Sequence, residues 1–315
     1  MTANTIIILG QQNDDHVQHM LRVLRDRGAD VELLTSQWFP SAMGLAFQPA
    51  SGQWRIVLPS GREITSDEIR SVYWRSYDGI GPTQLPDDYQ RFIAHNDARS
   101  LFESFLIDCP ARWVNGWTAF QLHQTKPVQL ARVSKLGIRI PATCLANTAD
   151  DVLQFVAGHP SCIFKPVQGG DLARPLTADH LTSANLENLR LAPITLQEAI
   201  LGTNIRVFVA GQNVVACEVQ ATSLDYRDDP KANLVVHALP PEVVDDCLKI
   251  SSALHLLWTG IDFRLTPEHE YVFLEANPSP MFLGFEAATQ LPLAQLLAEL
   301  LLAELWLEPA KKAAE

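Results

Sequence analysis

The sequence lacks the short signatures of several common enzyme classes. A Gly-x-Ser-x-Gly elbow, a His-Glu-x-x-His motif and a Gly-x-x-x-x-Gly-Lys-Ser/Thr loop are all absent. These absences argue against an α/β serine hydrolase, a zinc protease of the zincin type and a P-loop nucleotide-binding protein. The chain also has no internal repeat and no low-complexity linker. Its function must therefore be sought in residues that are dispersed along the sequence.

Cysteines are few and scattered. There are five of them, an odd number, and no two form a Cys-x-x-Cys pair. Most have apolar neighbours, whereas a disulfide framework or a cysteine-ligated metal normally shows closely paired cysteines. We therefore expect buried free thiols in a reducing cytoplasm.

Long apolar runs and basic residues are also scarce. No stretch approaches the roughly 20 apolar residues of a membrane helix, and the first ten residues lack the basic and apolar regions of a signal peptide. The 36 acidic residues outnumber the 24 basic ones and give a formal charge of −12. This balance disfavours nucleic acid and anionic membrane as partners, although a local basic site can still exist in an acidic protein.

The sequence does contain helical and strand patterns in alternation, which is typical of an α/β protein. The start predicts a β-α-β unit, with a strand at 6–9, a helix at 17–27 ended by Gly28, and a strand at 31–34. Further strands are predicted at 54–58, 62–64, 71–75, 138–143, 162–167, 194–200, 205–210, 214–219, 255–264 and 271–277, and further helices at 89–107, 126–136, 149–157 and 291–306.

The length of the chain predicts more than one lobe, because 315 residues exceed the size at which a single core normally keeps growing. A change of composition near residue 110 indicates the end of the first lobe. We expect an N-terminal lobe at 1–112, a central lobe at 113–197 and a C-terminal lobe at 198–315.

Oxygen-bearing side chains collect at the end of one predicted strand. Residues i and i+2 of a strand point to the same face, so Glu275 and Asn277 lie side by side. A neighbouring strand can bring Asp262 next to them. Carboxylate and amide oxygens suit Mg²⁺, whose coordination is usually completed by water and substrate phosphates. The alternative is that all three are solvent-exposed polar residues at strand ends.

Cations suited to a polyphosphate occur upstream. Lys165 ends a predicted apolar strand and precedes Gly169 and Gly170, whose flexible backbone can turn N–H groups towards a phosphate. One ion pair at ~4 Å contributes only ~4 kcal/mol at an effective dielectric constant of 20, so a polyphosphate needs several cations. Lys126, Arg206 and magnesium together would meet that need, whereas a single lysine at a strand end is usually just solvated.

Two other groups have competing interpretations. His16 and His19 have the spacing of one helix face, which we favour over a metal site. The acidic run from Asp225 to Asp229 is either a solvated turn or a charged contact to a substrate.

The order of these motifs resembles that of the ATP-grasp ligases, and within them the branch of the microviridin-type peptide macrocyclases (graspetide ligases) and of the glutamate ligase that modifies a ribosomal protein. The resemblance covers nearly the whole chain. It rests on residues 6–9, 14–16, 38–40 and 72–75, then on Trp113-Val-Asn115, Lys126, 137–143, Phe164-Lys165-Pro166, Gln197-Glu198, Ile205-Arg-Val-Phe208, Asp225-Tyr-Arg227, Asp262 and Glu275-Ala-Asn277.

This resemblance implies an ATP-grasp fold of α+β lobes behind an N-terminal pre-ATP-grasp domain, with ATP held between two lobes and Mg²⁺ as cofactor. It also implies a role for each site residue. Lys126 and Lys165 would contact the phosphates of ATP, and Arg206 would steady the γ-phosphate and the acyl-phosphate. The adenine-side hinge would consist of Gln197, Glu198, Ala199 and Ile200, with Asn204 near the ribose. Mg²⁺ would be held by Asp262, Glu275 and Asn277, and the substrate would be contacted by Asp225 and Arg227.

The implied reaction is an ADP-forming ligation in which a carboxylate becomes an acyl-phosphate and then joins an amine or a hydroxyl. The substrate would be a ribosomally made peptide, or alternatively a small amino acid or metabolite. Similar ligases often form homodimers, so the resemblance also implies a homodimer for this chain. The alternative of a different class is a nucleotide- or peptide-binding module that has lost catalysis.

Two positions depart from the family pattern. The family often has Asp where this chain has Asn204. After Asn277 the macrocyclases typically show a Gly-Gln pair, whereas here Ser279-Pro-Met281 stands.

Overall fold

A computed structural model describes residues 3–169, 171–220 and 233–303. The first part combines a parallel sheet, of strand order β2-β1-β6-β7, with a small antiparallel sheet of β3, β4 and β5. Its elements are β1 (Thr5–Leu9), α1 (Asp15–Asp26), β2 (Val31–Leu34), β3 (Gly44–Gln48), β4 (Gln53–Val57), β5 (Glu63–Thr65), β6 (Ile69–Trp74), α2 (Asp88–Asp108) and β7 (Arg112–Val114), with a 3₁₀ turn at Ser36–Trp38.

The predicted β-α-β start is confirmed. All five residues of β1 are buried, as expected of a β-branched strand inside a parallel sheet. The carboxylate of Asp14 accepts hydrogen bonds from the backbone N–H groups of His16 and Val17 and so caps α1. Gly28, at φ +75°, turns the chain after the helix, in a conformation that costs glycine little.

The central part contains a four-stranded antiparallel sheet of order β10-β9-β11-β8. The elements are α3 (Trp117–Gln124), α4 (Lys126–Ser134), β8 (Thr143–Ala146), α5 (Ala149–Gly158), β9 (Cys162–Pro166), β10 (Arg174–Pro175), α6 (Ser183–Glu187) and β11 (Ile194–Glu198), with 3₁₀ turns at Ala178–Leu181 and Asn188–Arg190.

One strand of the central part was predicted at the wrong position. The pattern predicted a strand at 138–143, but the strand begins at Thr143 and continues to Ala146. Pro141 has no N–H group and cannot donate to a ladder, so the chain before Thr143 forms an extended connection instead. Within that connection Ile138 is buried, which explains the apolar signal.

The C-terminal part is a five-stranded antiparallel sheet of order β14-β13-β12-β15-β16. The predicted strands at 205–210, 214–219 and 271–277 are confirmed, and the predicted helix at 291–306 is observed over Leu293–Leu302. The elements are β12 (Thr203–Ala210), β13 (Asn213–Gln220), β14 (Asn233–His237), α7 (Pro241–Ala253), β15 (Trp258–Leu265), β16 (Tyr271–Asn277), α8 (Leu283–Thr289) and α9 (Leu293–Leu302).

A shared hydrophobic cluster joins the first sheet to the C-terminal sheet. Met20 and Leu24 of α1 pack with Leu297 of α9 and with Phe208 and Trp258 of the C-terminal sheet. The predicted lobe boundary after residue 112 falls inside β7, which pairs with β6 in the first sheet. The N-terminal part therefore packs against α9, the last helix among the described residues, as well as against its sequence neighbour.

The five cysteines are free thiols, and four of them are buried. Among the described residues, no helix is both long enough and apolar enough to cross a membrane.

Asn115 forms a buried bridge between two segments of the C-terminal part. Its side-chain nitrogen donates to the carbonyl oxygens of Trp258 and Pro278 at 2.6 Å each. Its oxygen accepts from the backbone N–H groups of Leu257 and Trp258 at 2.7 and 3.2 Å. The amide therefore holds the start of β15 against the segment that follows β16.

We expect Asn115→Ala to lower the free energy of unfolding by about 3 kcal/mol, because buried backbone groups would lose their partners. Urea unfolding followed by circular dichroism measures this change. The control is Asn147→Ala, at an exposed bend, which should change stability by less than ~0.5 kcal/mol. Equal losses in both variants would contradict the assigned role of the bridge.

Candidate active site

Three neighbouring strands of the C-terminal sheet bring one cation and two carboxylates into a row. Arg206 of β12 lies opposite Asp262 of β15, and Asp262 lies opposite Glu275 of β16. Directly opposed residues of antiparallel strands project from the same face, with Cβ atoms ~5 Å apart. The strand register alone therefore places these charged groups next to one another.

A β-bulge adjusts one end of this row. The pairing of β15 with β16 shifts after Asp262, so that Phe263 lies opposite Phe273 and Leu274 is the extra residue. Leu274 and Glu275 consequently both line the cavity, although strict alternation would put them on opposite faces. The bulge thus sets an apolar side chain directly beside a carboxylate.

Each carboxylate of the row is paired with a cation. The guanidinium Nη1 of Arg206 donates to Oδ2 of Asp262 at 2.6 Å, and the side chain of Arg206 is only 7% exposed. The ammonium of Lys126, the first residue of α4, donates to Oε2 of Glu275. Opposite charges are therefore balanced within the site.

Burial and charge move the pKa values of both carboxyl groups. Burial raises the pKa of Glu275, but the Lys126 ammonium and hydrogen bonds from Lys126 and Asn277 outweigh it and lower the pKa to about 2. Burial raises the pKa of Asp262; Arg206 opposes that rise and the neighbouring Glu275 adds to it. Two adjacent carboxyl groups thus have pKa shifts of opposite sign, which is common at functional sites.

The row forms one wall of a cavity of about 590 Å³ between the central and the C-terminal sheets. Lys165 of β9 reaches this cavity from the central sheet, where burial lowers the pKa of its ammonium against the attraction of Glu275. A Cβ atom built on Gly169 would lie 3.6 Å from the Nζ of Lys126. The backbone at Gly169 therefore lies close to the ammonium of Lys126.

The structure brings together the sequence-predicted site residues that it describes. The cavity lining includes Lys126, Lys165, Gln197, Glu198, Ala199, Ile200, Asn204, Arg206, Asp262, Glu275 and Asn277. Their individual roles stay predictions. Asp225 and Arg227, the predicted substrate contacts, lie outside the described residues.

Arg264 received no role from the sequence, yet it lines the same cavity. Its Nη1 donates to the side-chain oxygen of Asn204 at 2.7 Å, and its Nε donates to the carbonyl oxygen of Ile200 at 3.1 Å. Arg264 follows Asp262 by two residues on one strand, and this spacing was the signal that could have revealed it. It connects the predicted hinge to β15.

The two helical histidines occupy one side of α1, as favoured. The Nε2 atom of His16 accepts hydrogen bonds from the backbone N–H groups of Phe282 and Leu283 at 3.0 and 3.4 Å. His19 approaches Glu286 to 3.5 Å. Both rings are thus used in contacts between α1 and the segment around α8.

The donor atoms at the row suit a magnesium ion. Asp262 and Glu275 offer carboxylate oxygens, and the side-chain nitrogen of Asn277 donates to Oε1 of Glu275 at 3.1 Å. The amide oxygen of Asn277 is then the atom that it can offer to a metal. Within the described ranges, no group of three His, Cys, Asp or Glu side chains could hold a metal ion. An ion here would therefore also need Asn277 and phosphate oxygens, as Mg²⁺ in nucleotide sites does.

The lowered pKa of Glu275 predicts a pH dependence of stability. Because its folded-state pKa of about 2 lies below the ordinary value of 4.5, its ionised form stabilises the fold fully above pH 4.5. This contribution is lost as the pH falls towards 2. We expect the difference in unfolding free energy between wild type and Glu275→Gln, measured with urea, to shrink as the pH falls from 4.5 towards 2.

The control for this measurement is Glu268→Gln, at an exposed position in the turn between β15 and β16. It should follow the wild type at every pH. A stability difference for Glu275→Gln that grows on acidification would contradict the direction of the pKa shift.

Comparison with known sequences identifies related proteins. The sequence profile of the RimK-like ATP-grasp domain matches residues 124–301. A probable alpha-L-glutamate ligase of Photobacterium profundum is 30% identical over 202 residues, which make up 59% of this chain and 65% of that protein. The chain thus spans slightly less than two thirds of the length of this curated relative.

Solved structures extend the similarity over nearly the whole fold. The ATP-grasp ligase PsnB, complexed with a minimal precursor, is 28% identical with a TM-score of 0.82, over 95% of this chain and 98% of PsnB. PsnB has also been solved with minimal precursor, Mg and ADP. The macrocyclase MdnC of Microcystis aeruginosa, bound with precursor peptide MdnA, is 20% identical with a TM-score of 0.82, over 95% and 100%. At that identity MdnC shows the fold alone.

These similarities confirm the ATP-grasp fold that the order of motifs predicted. The matched profile covers more than half of the chain and includes α4, the central sheet and the complete C-terminal sheet. The chain belongs to the RimK-like ATP-grasp family.

Proposed function

We propose that this protein is an ADP-forming, Mg²⁺-dependent ligase that activates a carboxylate of a peptide as an acyl-phosphate and joins it to an amine or a hydroxyl. The observation that carries the proposal is the convergence of the Arg206, Asp262 and Glu275 row with Lys126 and Lys165 in one cavity. Phosphoryl transfer depends mainly on positioning and on neutralising charge, and this arrangement supplies both.

The cations would bind the phosphates of ATP. Lys126 is paired with Glu275, and Arg206 is paired with Asp262. Bound phosphates would take over the two cations, and a metal would take over the two carboxylates. Lys165 would add a third positive charge, which a polyphosphate needs because each ion pair contributes only ~4 kcal/mol at ~4 Å and an effective dielectric constant of 20.

Asp262, Glu275 and Asn277 would hold Mg²⁺, which, when bound, neutralises charge on the phosphates. Their oxygens come from two adjacent strands, so the backbone of the sheet holds them at nearly fixed separation. This rigidity favours a small ion that demands regular geometry.

Other residues of the cavity suit the base and the ribose. Gln197 and Glu198 end β11, and together with Ala199 and Ile200, which follow the strand, they would form the adenine-side hinge, while Leu274 adds apolar surface to the cavity. Asn204 would contact the ribose, with its side chain oriented by Arg264.

The proposed reaction has two steps. First, an oxygen of the substrate carboxylate attacks the γ-phosphorus, the bond from that phosphorus to the β–γ bridging oxygen breaks, and ADP leaves. Second, the amine or hydroxyl attacks the carbonyl carbon of the acyl-phosphate, the carbon–oxygen bond to phosphate breaks, and the nucleophile releases its proton to phosphate or solvent. Arg206, at the end of the row, would stabilise negative charge on the transferred group in both steps.

A peptide substrate is supported by PsnB, which was solved with a minimal precursor. A small-molecule carboxylate is the second candidate, because the matched curated relative is named a probable alpha-L-glutamate ligase. A nucleotide-binding module without catalysis would use the same charged row and the same two lysines, so turnover of ATP is the measurement that separates it from a ligase. A precursor peptide encoded beside the gene, rich in Thr, Ser, Lys, Asp and Glu, would favour the first candidate.

The proposal includes a reducing cytoplasmic location, which suits five cysteines that are free thiols. A homodimer remains a prediction from the resemblance. Light scattering on the purified protein tests it.

We expect purified protein to release ADP and phosphate from ATP and Mg²⁺ when its carboxylate substrate is present, and Glu275→Gln to lower the rate at least 100-fold, because it removes a metal-binding charge. The measurement uses pools of peptides and of amino acids as separate additions. Glu268→Gln, in the exposed turn of the same hairpin, should keep the wild-type rate. Release of AMP and pyrophosphate would instead indicate an adenylating enzyme.

Nucleotide binding should also stabilise the fold. At a ligand concentration about 100 times its Kd, the gain in unfolding free energy is ~2.7 kcal/mol by mass action. We expect Lys165→Met to lose most of this gain at the same Mg²⁺–ADP concentration, since it removes a phosphate contact but keeps an apolar side chain. Lys135→Met, at an exposed position after α4, should keep it. An unchanged gain in Lys165→Met would remove this lysine from the site.

A further inference from the structure

One end of the cavity carries an apolar surface. Met281 is 67% exposed, and it lines the cavity together with Gly284 and Phe285. Met281 lies two residues before α8, and the other two residues belong to the first turn of that helix. We call these three residues the apolar platform.

There is room above the platform for a ligand. A Cβ atom built on Gly284 would meet nothing within 4 Å among the described residues. The sequence from Ser279 to Phe285 contains no charged residue. The segment itself therefore offers apolar side chains on both sides of Gly284, with Met281 before it and Phe285 after it.

The platform lies next to the proposed chemistry. The guanidinium carbon of Arg206 is 5.8 Å from the ring centre of Phe285 and 5.5 Å from that of Phe208. The two rings pack edge to face with their centres 5.4 Å apart. If Arg206 binds the carboxylate of a substrate, the substrate atoms next to that carboxylate would therefore lie beside Phe285. The platform is continuous with the place where the carboxylate is activated.

Hydrogen bonds on both sides of the apolar platform connect its segment to the N-terminal lobe. On one side Nη1 of Arg75 donates to the carbonyl oxygen of Ser279 at 3.0 Å, and the Ser279 hydroxyl donates to the carbonyl oxygen of Arg75 at 2.8 Å. On the other side His16 accepts from the N–H groups of Phe282 and Leu283. A surface held in this way is pre-organised, so little order has to be gained when a ligand binds.

We infer that the apolar platform selects substrates in which an apolar side chain stands next to the carboxylate that is activated. This inference rests on the proposed function and names the class of its substrate: a peptide whose reacting Asp or Glu has a Leu-like neighbour. Met281 supplies a flexible thioether side chain that can adapt to such a neighbour. The neighbour gains affinity because both apolar surfaces leave water.

The test compares two fluorescently labelled decapeptides of equal charge, one containing Leu-Glu-Leu and the other Ser-Glu-Ser at its centre. Their Kd values are measured by fluorescence anisotropy with the full-length protein in the presence of Mg²⁺ and ADP. We expect the Leu peptide to bind about tenfold more tightly. Met281→Gln should raise its Kd to that of the Ser peptide and leave the affinity for ADP unchanged. Gly284→Leu, which fills the space above the platform, should also weaken the Leu peptide.

The control is Leu191→Gln, because Leu191 is 85% exposed in the central part of the chain, away from the cavity lining that the structure describes. It should keep the full preference for the Leu peptide. Equal Kd values for the two peptides, no binding of either, or an undiminished preference in Met281→Gln would each overturn the inference. None of these results affects ADP release with substrate pools, which tests the proposed function separately.

Discussion

The register of three antiparallel strands is the constraint on which the candidate site depends. Arg206, Asp262 and Glu275 meet only because β12, β15 and β16 pair in one alignment. The opposite face of the same strands holds this alignment, since Val207 and Ile261 are fully buried there against α7. A slip by one residue would turn the charged row into that core and bring the apolar side chains to the cavity. Hydrophobic burial on one face thus determines the electrostatics of the other.

Charge balance is the second feature that follows from this register. The Lys126 ammonium and the Arg206 guanidinium each neutralise one carboxylate of the row. The pKa of Glu275 is lowered to about 2, whereas the pKa of Asp262 is raised because it is buried beside a second carboxyl group. Mg²⁺ and a polyphosphate carry opposite charges, so the pair can replace these internal ion pairs without leaving a buried charge uncompensated. In the proposed function, binding of Mg²⁺ and ATP would therefore be an exchange of partners.

Residues that precede the matched RimK-like domain complete one wall of the site, although the strands of the row belong to that domain. Asn115 bridges the segments at Trp258 and Pro278, and His16 binds the backbone before α8. These contacts define where the chain goes after Asn277 and therefore where the apolar platform lies relative to Arg206. The family profile begins at residue 124, yet one wall of the cavity depends on residues that precede it. Function should accordingly require the chain before the conserved domain.

Much of the secondary structure and the composition of the site could be read from the sequence, because both depend on local patterns. Alternation predicted 271–277 and placed Glu275 beside Asn277, and the order of motifs predicted the ATP-grasp fold. Non-local pairing could not be read in this way, because it depends on contacts between distant strands. The bulge that brings Leu274 into the cavity, the pairing of Lys126 with Glu275 and the contacts of Arg264 belong to this second kind. The sequence by itself determined which chemical groups are present and on which strands, while only the tertiary structure decided the register and the neighbours that turn them into one charged site.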